Sequence, residues 1–266
     1  MKKKVVYTAL TKGYDELRQP EFVREDYDYI CFSNDVDDMN TGVWQIRKMP
    51  YLHAEKVRMC RYVKLHPQEL LPDYKYSMWL DCNQRLTEEH FLRMEKCIAE
   101  NCRLGMVIHP ERDCVYQEAY CCTNGLNDTP ERIFEHTKFL LDRKFPPRAG
   151  LWVTCCIFRE HNDPDIAAFD KLWWEVLNAL SFRDQMSVTY ALKCSNVTPA
   201  VLFGRSYWEK YKIEHTGRTK QVSFIKRSFR FLFRRAMMFR LALLLRSHGI
   251  CEYDWRKVEL TAAPED

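Results

Sequence analysis

A nearly continuous apolar segment, GLWVTCCIFREH at residues 150–161, constrains the fold more than any other part of the chain. A strand with one face in water alternates apolar and polar residues, whereas a strand covered on both faces is apolar throughout. The segment therefore predicts a strand in the interior of a sheet that has helices on both sides.

Strand-like and helix-like segments alternate along the rest of the chain. Four further segments have strand character: KKVVYTALT, YDYICFSND, YSMWLDCN and LGMVIHPERD. Four segments have the apolar spacing of helices: HAEKVRMCRYVKLHPQELL, which Pro67 interrupts, TEEHFLRMEKCIAENC, PDIAAFDKLWWEVLNAL and RDQMSVTYAL. This alternation predicts an α/β fold with a mainly parallel central sheet flanked by helices. We expect one main domain over residues 1–221 and a helical C-terminal appendage over residues 222–266.

Composition limits the classes of protein to consider. Hydrophobic residues make up 46% of the 266-residue chain, which suits a globular protein with a substantial core. No stretch approaches the ~18 consecutive apolar residues that a membrane-spanning helix needs. The basic start is followed by too short an apolar run for a signal peptide, so we expect a cytoplasmic protein, or one on the cytosolic face of a membrane. The twelve cysteines lack CxxC spacing, which favours reduced core residues over zinc ligands.

Polar residues follow three of the predicted strands. They are Ser33 to Asp35, Asp81 to Asn83 and His109 to Asp113. Ligands in such sheets bind beyond the carboxyl ends of the strands. Asp81 and Asn83 offer two oxygen ligands of the kind that Mg²⁺ and Mn²⁺ take. The alternative is an ordinary strand-to-turn exit.

A second motif lies far along the chain, at KIEHTGRTK. His215, Gly217 and Lys220 follow the pattern His-x-Gly-x-x-Lys. The imidazole could complete a metal site, the glycine could let backbone approach a phosphate, and the lysine could neutralise a phosphate oxygen. The alternative is a solvated loop that contains these residues by chance.

Several of these segments resemble known families. RYVKLHP…YSMWLDCN, HPERDCVYQEA and SFRDQMSVTYAL resemble the TOD1/MUCI70-type glycosyltransferase-like family. The order of the motifs, over roughly residues 4–220, also resembles the family 8 retaining glycosyltransferases, in which residues 150–158 would be the acceptor-side strand. These resemblances imply a GT-A-type fold. They also imply transfer of a sugar from a nucleotide-diphosphate sugar to a glycan or lipid-linked glycan, of the surface polysaccharide or lipopolysaccharide type.

The resemblance also implies a role for individual residues. The nucleotide pocket would comprise Thr8, Ala9, Thr11 and Asp28, and the phosphates or base would meet Arg61 and Lys64. Mn²⁺ or Mg²⁺ would bind to Asp81, Asn83 and His215, and Lys220 would stabilise the diphosphate leaving group. The reacting carbon of the sugar would lie beside the catalytic residues Asp184 and Gln185. The donor-sugar pocket would be shaped by His109, Arg112, Asp113 and Glu118.

Simpler interpretations stay open for several of these residues. Arg61 and Lys64 could lie on a solvated helix face, and Asp184 could be only a helix cap or a helix-terminal charge. Arg112 could pair with its neighbour Asp113. Asn83 stands where related motifs have a second acidic residue, so metal binding could be weaker or could require the nucleotide. A retaining reaction needs no separate base, and an inverting one needs a carboxylate base, so the stereochemistry also stays open.

The C-terminal segment has a charge pattern of its own. Residues 216–251 carry nine of the 41 Lys and Arg residues and no Asp or Glu, which leaves 32 basic against 37 acidic residues elsewhere. Basic residues fall on one face of a predicted helix and aromatic residues on the other. We expect residues 222–247 to associate peripherally with an anionic membrane. The alternative is a helix docked on the main domain, and nucleic-acid binding is unlikely because no known module is recognisable.

The function with most support from the sequence is that of a metal-dependent glycosyltransferase, expected to retain the anomeric configuration. Two alternatives stay open. One is a nucleotidyltransferase or hydrolase that uses the same Asp and His residues. The other is a non-catalytic, membrane-associated binding protein.

Overall fold

The computed structural model describes residues 3–11, 16–36, 41–125, 127–211 and 224–250, with side chains from residue 231 onward in the last range. The predicted His215 and Lys220 lie outside the described residues. The strands are β1 Lys4–Ala9, β2 Tyr27–Phe32, β3 Gln45–Arg47, β4 Tyr76–Leu80, β5 Leu104–Ile108, β6 Trp152–Arg159 and β7 Ala200–Phe203. The helices are α1 Lys56–Leu65, α2 Pro67–Leu70, α3 Glu88–Ala99, α4 Val115–Gly125, α5 Pro130–Asp142, α6 Pro164–Ala179, α7 Asp184–Ser195, α8 Tyr207–Tyr211 and α9 Phe224–Ser247.

The strands form one seven-stranded sheet in the order β3-β2-β1-β4-β6-β5-β7. Strands β1, β2, β3 and β4 are parallel, and β5 is parallel to β7. Strand β6 runs antiparallel to both of its neighbours, β4 and β5. The predicted α/β fold with a mainly parallel sheet flanked by helices is therefore confirmed.

Strand β6 is the apolar segment that predicted an interior strand, and seven of its eight residues are buried. One core cluster lies against a sheet face and includes Val63 of α1, Phe169 and Trp173 of α6, and Val188 of α7. A second cluster includes Phe91 of α3. Helices thus cover both faces of the sheet, which explains why the sequence of β6 does not alternate.

A third core cluster joins α4, α5 and α9 beside the sheet. Leu241 and Leu245 of α9 belong to this cluster and are at most 1% exposed, and Met237 of the same helix is 4% exposed. Helix α9 is therefore docked on the rest of the chain by one of its faces. No described helix is both long enough and apolar enough to cross a bilayer. The predicted cytoplasmic location and the division at residue 221 stay predictions.

The helix boundaries follow local chemistry. Thr87 caps α3 through a capping box with His90, and the chain breaks between α1 and α2 at His66, directly before Pro67. The sequence analysis did not predict α4 and α5. Helix α5 carries a recognisable start signal, because Thr129 accepts a hydrogen bond from the Arg132 backbone and Pro130 is the first helical residue.

A buried ion pair joins the sheet to α6. Arg159 of β6 and Asp170 of α6 lie 3.0 Å apart, both side chains are fully buried, and Arg159 also donates to the Tyr7 hydroxyl at 3.2 Å. Burial raises the pKa of Asp170 to about 7, although Arg159 opposes this shift. Removing either partner would leave a buried charge uncompensated, so this pair fixes the position of α6 on the sheet.

Three buried histidines predict a loss of stability in mild acid. Burial lowers the pKa of His90 to about 4, of His136 to about 3 and of His161 to about 4. Unfolded histidines titrate near pH 6.5, so below that pH the unfolded chain binds protons that the folded chain does not. Stability should therefore fall as the pH falls from 7.5 to 5, by about 2 kcal/mol for a fully buried histidine. The raised pKa of Asp170 opposes this as a single group, against these three histidines and His109, whose pKa burial also lowers to about 4.

His136 provides the direct test, because it is fully buried and neither ring nitrogen has a hydrogen-bond partner among the described residues. Between pH 7.5 and 5, the free energy of unfolding of His136→Leu should fall by about 2 kcal/mol less than that of the wild type, as measured by urea unfolding. His248→Gln, at an exposed histidine, is the control and should behave as the wild type. An equal pH dependence in wild type and His136→Leu would contradict the argument.

Candidate functional site

Asp81 leaves β4 through a tight turn at the carboxyl edge of the sheet. Its backbone N–H donates to the carbonyl of Cys155 in the neighbouring β6 at 2.8 Å, and its own carbonyl accepts from Gln84 at 2.9 Å. The turn places Asn83 two residues beyond it. The ends of β1, β4 and β5 all lie at this edge, since these strands are parallel.

The Asp81 carboxylate has three neighbours on one oxygen. Its Oδ1 accepts from the indole N–H of Trp79 at 2.7 Å. The same oxygen lies 3.5 Å from Lys64 Nζ and 4.0 Å from the Arg61 guanidinium. The Asp81 side chain is 27% exposed, so the carboxylate still faces the open edge.

Asp184, the first residue of α7, lies behind Asp81. Its Oδ2 accepts from Lys64 Nζ at 2.7 Å and from the Thr154 hydroxyl at 2.7 Å, with Arg61 Nε 3.2 Å away. Burial alone would raise the pKa of Asp184, but Arg61 and Lys64 outweigh it and hold that pKa well below its usual range. Asp184 is therefore a carboxylate at any working pH.

Lys64 thus bridges two carboxylates, and we call Asp81, Lys64 and Asp184 the ionic bridge. The Lys64 side chain is fully buried, so the solvated-face interpretation does not hold for it. Its burial also corrects the predicted contact with phosphates, because the ammonium lies beneath the carboxylates. Arg61, one helical turn earlier and 15% exposed, lies closer to the surface. Arg183 occupies the N-cap position of α7, and its side chain makes no capping hydrogen bond. Asp184 is the first helical residue, and its side chain accepts from Lys64 and Thr154, so Asp184 is more than a helix cap.

A pocket of about 310 Å³ opens on one side of Asp81. We call it the β1 pocket, and its lining includes Thr8, Trp44, Asp81 and Gln84. Thr8 Oγ1 and Gln84 Oε1 are buried, and neither has a hydrogen-bond partner among the described residues. A buried polar atom without a partner is costly, so these two atoms mark where a polar ligand would be stabilised.

The other predicted nucleotide-pocket residues lie in different places. Ala9 and Thr11 are buried at the end of β1, where Thr11 contacts the Cys60 thiol at 4.0 Å. Asp28 is not brought to this edge. It is the second residue of β2, paired in register with Val5, and it accepts from the Tyr74 hydroxyl. Asp28 therefore lies toward the amino end of the sheet, and its predicted place in the nucleotide pocket is corrected.

A larger cleft, of about 570 Å³, opens at the end of β5 and the start of α7. We call it the α7 cleft, and its lining includes His109, Arg112, Glu118, Arg183 and Gln185. The structure thus brings together three of the four residues predicted for the sugar pocket and one of the two predicted catalytic residues. Asp113 does not line the cleft, and one of its carboxylate oxygens is buried without a hydrogen-bond partner among the described residues.

Glu118 is the buried charge at the base of the α7 cleft. It accepts from Arg112 Nε at 2.8 Å and lies 3.5 Å from Arg183. Burial alone would raise the pKa of Glu118, but the two arginines outweigh it and the pKa is lowered. Arg112 therefore pairs with Glu118, and with Glu111 at 2.8 Å, instead of with Asp113.

The ring of His109 stays neutral beside these charges, because burial lowers its pKa to about 4. Its Nδ1 faces the backbone N–H groups of Glu111 and Arg112 at 3.2 and 3.0 Å and therefore accepts. Nε2 of the ring lies 3.2 Å from Nη2 of Arg112 and 3.7 Å from Glu118. With His109 neutral, Arg112 and Arg183 are balanced by Glu111 and Glu118, so the cleft favours a neutral, strongly polar ligand.

Sequence reasoning missed two residues of this site. Thr154 is a hydroxyl side chain within an otherwise apolar strand, and such an isolated polar residue is a usable signal. Arg183 directly precedes the predicted Asp-Gln pair, and its guanidinium donates to Gln185 Oε1 at 2.8 Å. Arg183 thereby fixes the orientation of the Gln185 amide at the cleft.

The residues near Asp81 fit only part of a metal site. No group of three or more His, Cys, Asp or Glu side chains suited to a metal ion occurs among the described residues. Asp81 and Asn83 have the oxygen donors that Mg²⁺ or Mn²⁺ would take, and Asp81 makes its protein contacts through Oδ1. These two residues fit as partial ligands, and the contribution of His215 stays a prediction.

Comparison with known families agrees with this arrangement. The family described as "TOD1/MUCI70, glycosyltransferase-like domain" matches residues 1–205. The chain belongs to this family. The predicted family is thereby confirmed, and the match includes the ionic bridge, the β1 pocket residues and Gln185 of this glycosyltransferase-like domain. No curated protein matches the chain.

The ionic bridge predicts strong coupling between Lys64 and Asp184 in the glycosyltransferase-like domain. Lys64→Met leaves two carboxylates beside each other with less compensation and should cost about 3–5 kcal/mol of unfolding free energy. Asp184→Asn should also destabilise. The double variant should cost less than the sum of the two single variants, by about 1–3 kcal/mol. Urea unfolding of all four proteins completes the cycle, and additive costs would show that the two charges are not coupled.

Proposed function

We propose that this protein is a metal-dependent glycosyltransferase that moves a sugar from a nucleotide-diphosphate sugar to a hydroxyl of a glycan or lipid-linked glycan. The observation that carries the proposal is that the ionic bridge links a residue of the β1 pocket to the start of the helix that lines the α7 cleft. Asp81 lines the β1 pocket, and Asp184 begins the helix that supplies Gln185 to the α7 cleft. A two-part ligand, with a nucleotide and a sugar joined by a diphosphate, would match two cavities linked by a charged centre.

The nucleotide would occupy the β1 pocket. Thr8 can donate a hydrogen bond there and Gln84 can accept one, and both atoms lack partners among the described residues. Trp44 provides an aromatic wall, fixed by its indole N–H, which donates to the Arg18 carbonyl at 2.8 Å. A nucleoside supplies both hydroxyl donors and acceptors and an apolar ring face, so it would satisfy both orphaned atoms.

The diphosphate would lie at Asp81, between the two cavities. A divalent cation held by Asp81 and Asn83, with His215 as a further predicted ligand, would supply positive charge to the leaving group. Among the described residues beside Asp81, Arg61 is partly exposed and positively charged. It would help to neutralise the charge of the leaving group. Lys64 acts indirectly in this proposal, because it holds Asp81 and Asp184 at fixed positions.

The transferred sugar would lie in the α7 cleft, with Gln185 at its reacting carbon. In the reaction, the acceptor hydroxyl oxygen forms a bond to the anomeric carbon while the bond from that carbon to the diphosphate oxygen breaks. The bonding electrons leave with the diphosphate. The amide of Gln185, oriented by Arg183, would stabilise the positive charge that develops on the sugar.

The charges of the cleft support retention of the anomeric configuration. An inverting enzyme needs a carboxylate base beside the acceptor hydroxyl. Each carboxylate of the α7 cleft that the structure describes is paired with Arg112 or Arg183, and the pKa of the buried Glu118 is lowered, which makes it a weak base. In a retaining reaction the departing diphosphate oxygen takes the acceptor proton, so no protein base is required.

The donor site can be tested by thermal protection. We expect one nucleotide-diphosphate sugar, from a panel with UDP, GDP and CDP, to raise the melting temperature when Mn²⁺ is present. A ligand at 100 times its dissociation constant stabilises by about 2.7 kcal/mol, which is readily detected. Asp81→Ala should abolish the protection, because it removes the carboxylate that would hold the cation beside the β1 pocket.

Asp142→Asn, at an exposed aspartate on α5, is the matched control and should keep full protection. Protection by nucleoside triphosphates without protection by any nucleotide sugar would support a nucleotidyltransferase instead. Failure of every nucleotide to protect a folded wild-type protein would overturn the donor-site assignment.

The stereochemistry gives a second test. Once a donor is identified, proton NMR of the first product should show the same anomeric configuration as the donor. The pairing of Glu118 also predicts that Glu118→Gln should not shift the acidic limb of the pH profile, where a carboxylate base would lose activity on protonation, since this carboxylate is not the acceptor's base. A product of inverted configuration would show that a carboxylate does act as the base.

A further inference from the structure

Helix α9 has two apolar faces, and the residues that the structure describes cover one of them. Leu241 and Leu245 are buried in the cluster that α9 forms with α4 and α5, and Met237 of the same helix is also buried. The spacing of four residues places all three on one side of the helix. This docked side accounts for only part of the apolar character of the segment.

The opposite side of α9 carries a row of exposed apolar side chains. Leu232 is 66% exposed, Phe239 is 64% exposed and Leu243 is 48% exposed. At 100° per residue these three positions fall within about 20° of one direction, which points directly away from Leu241. Ala236 lies in the same row and is also exposed. We call these four residues the outer row.

Arginines flank the outer row. Arg235 and Arg246 fall on one side of it and Arg240 on the other, and all three are exposed. Residues 216–251 contain no Asp or Glu, so no acidic residue of this segment neutralises them. A helix that presents a narrow apolar row between arginines is complementary to a surface that is apolar inside and anionic at its rim.

We propose that the outer row of α9 inserts into the interfacial layer of a bilayer that contains anionic lipid. Leu232, Phe239 and Leu243 would enter the boundary between head groups and acyl chains, and the arginines would contact lipid phosphates. Since the helix is docked by its other face, it binds as a fixed part of the folded protein. A second copy of the chain would bring its own arginines to the row, so charge disfavours a symmetric dimer there.

Helix α4 connects this surface to the α7 cleft. Glu118 and Cys121 of α4 line the cleft, while the carbonyl of Asn124, in the last turn of α4, accepts from Arg234 of α9 at 3.3 Å. A single helix thus separates the membrane-facing helix from the cleft. Resting on the proposed function, this arrangement specifies the acceptor class as a glycan carried on a membrane lipid.

Vesicle co-sedimentation of the full chain tests the membrane surface without any sugar donor. We expect the wild type to sediment with vesicles of phosphatidylcholine and phosphatidylglycerol, and much less with phosphatidylcholine alone. The double variant Phe239→Glu/Leu243→Glu should partition at least about tenfold less, because each substitution puts a carboxylate in the inserted row. Arg235→Ser/Arg246→Ser should weaken binding at low salt and reduce its dependence on salt concentration.

Leu92→Glu is the matched control, since Leu92 is 58% exposed on α3 and belongs to a different surface. It should bind vesicles as the wild type does. Circular dichroism and the melting temperature of each variant check that the substitutions leave the fold intact. Thermal protection by the nucleotide sugar should also be unchanged, which separates failure of this inference from failure of the proposed function.

Three outcomes would overturn the proposal. The first is a folded wild type that binds neither kind of vesicle, and the second is a Phe239→Glu/Leu243→Glu variant that binds as well as the wild type. The third is a wild type that elutes as a dimer when the same variant elutes as a monomer, which would assign the outer row to a second copy of the chain.

Discussion

The site depends on one buried ammonium group. Lys64 contributes no exposed surface, yet it lies 2.7 Å from Asp184 and 3.5 Å from Asp81, which come from different elements of the fold. Without it, the end of β4 and the start of α7 would present two like charges to each other in a poorly solvated space. The geometry of both cavities is therefore set by a residue that contacts neither of them. The charges of Lys64, Asp81 and Asp184 therefore matter more for the geometry of the site than the side chain of any single cavity residue.

Much of the fold could be predicted from the sequence because its cues are local. Apolar β6 and the break at Pro67 depend on neighbouring residues and appear as predicted, and the cap at Thr87 is set by equally local residues. The position of Asp28 could not be predicted in this way, because it depends on the register between β1 and β2. The burial of Lys64 likewise depends on how α1 packs against α7, which no local pattern encodes. The direction of β6 could not be predicted either, since an apolar interior strand has the same pattern whether it is parallel or antiparallel to its neighbours.

The chemistry of the candidate site could be predicted from the sequence, but the role of each residue could be predicted less well. The sequence placed Asp81, His109 and Arg112 at one edge because polar residues after parallel strands meet there, and the family resemblance implied that Asp184 and Gln185 join them. It could not distinguish groups that face a cavity, such as Gln185, from groups that position others, such as Lys64 and Thr154. That distinction is made by burial and by hydrogen-bond partners. Arg183 shows the same limit, since its role follows from its contacts with Glu118 and Gln185.

The reversed direction of β6 has a consequence for how the chain folds. Strand β6 pairs with residues that are distant along the chain, Cys156 with Leu80 and Trp152 with Ile108. It can therefore enter the sheet only after long loops have closed. Thr154 reaches Asp184 only when that strand is in place. The site is thus completed late in folding, and until then the most apolar strand of the protein has unpaired edges. Newly made chains are most prone to aggregate in that interval.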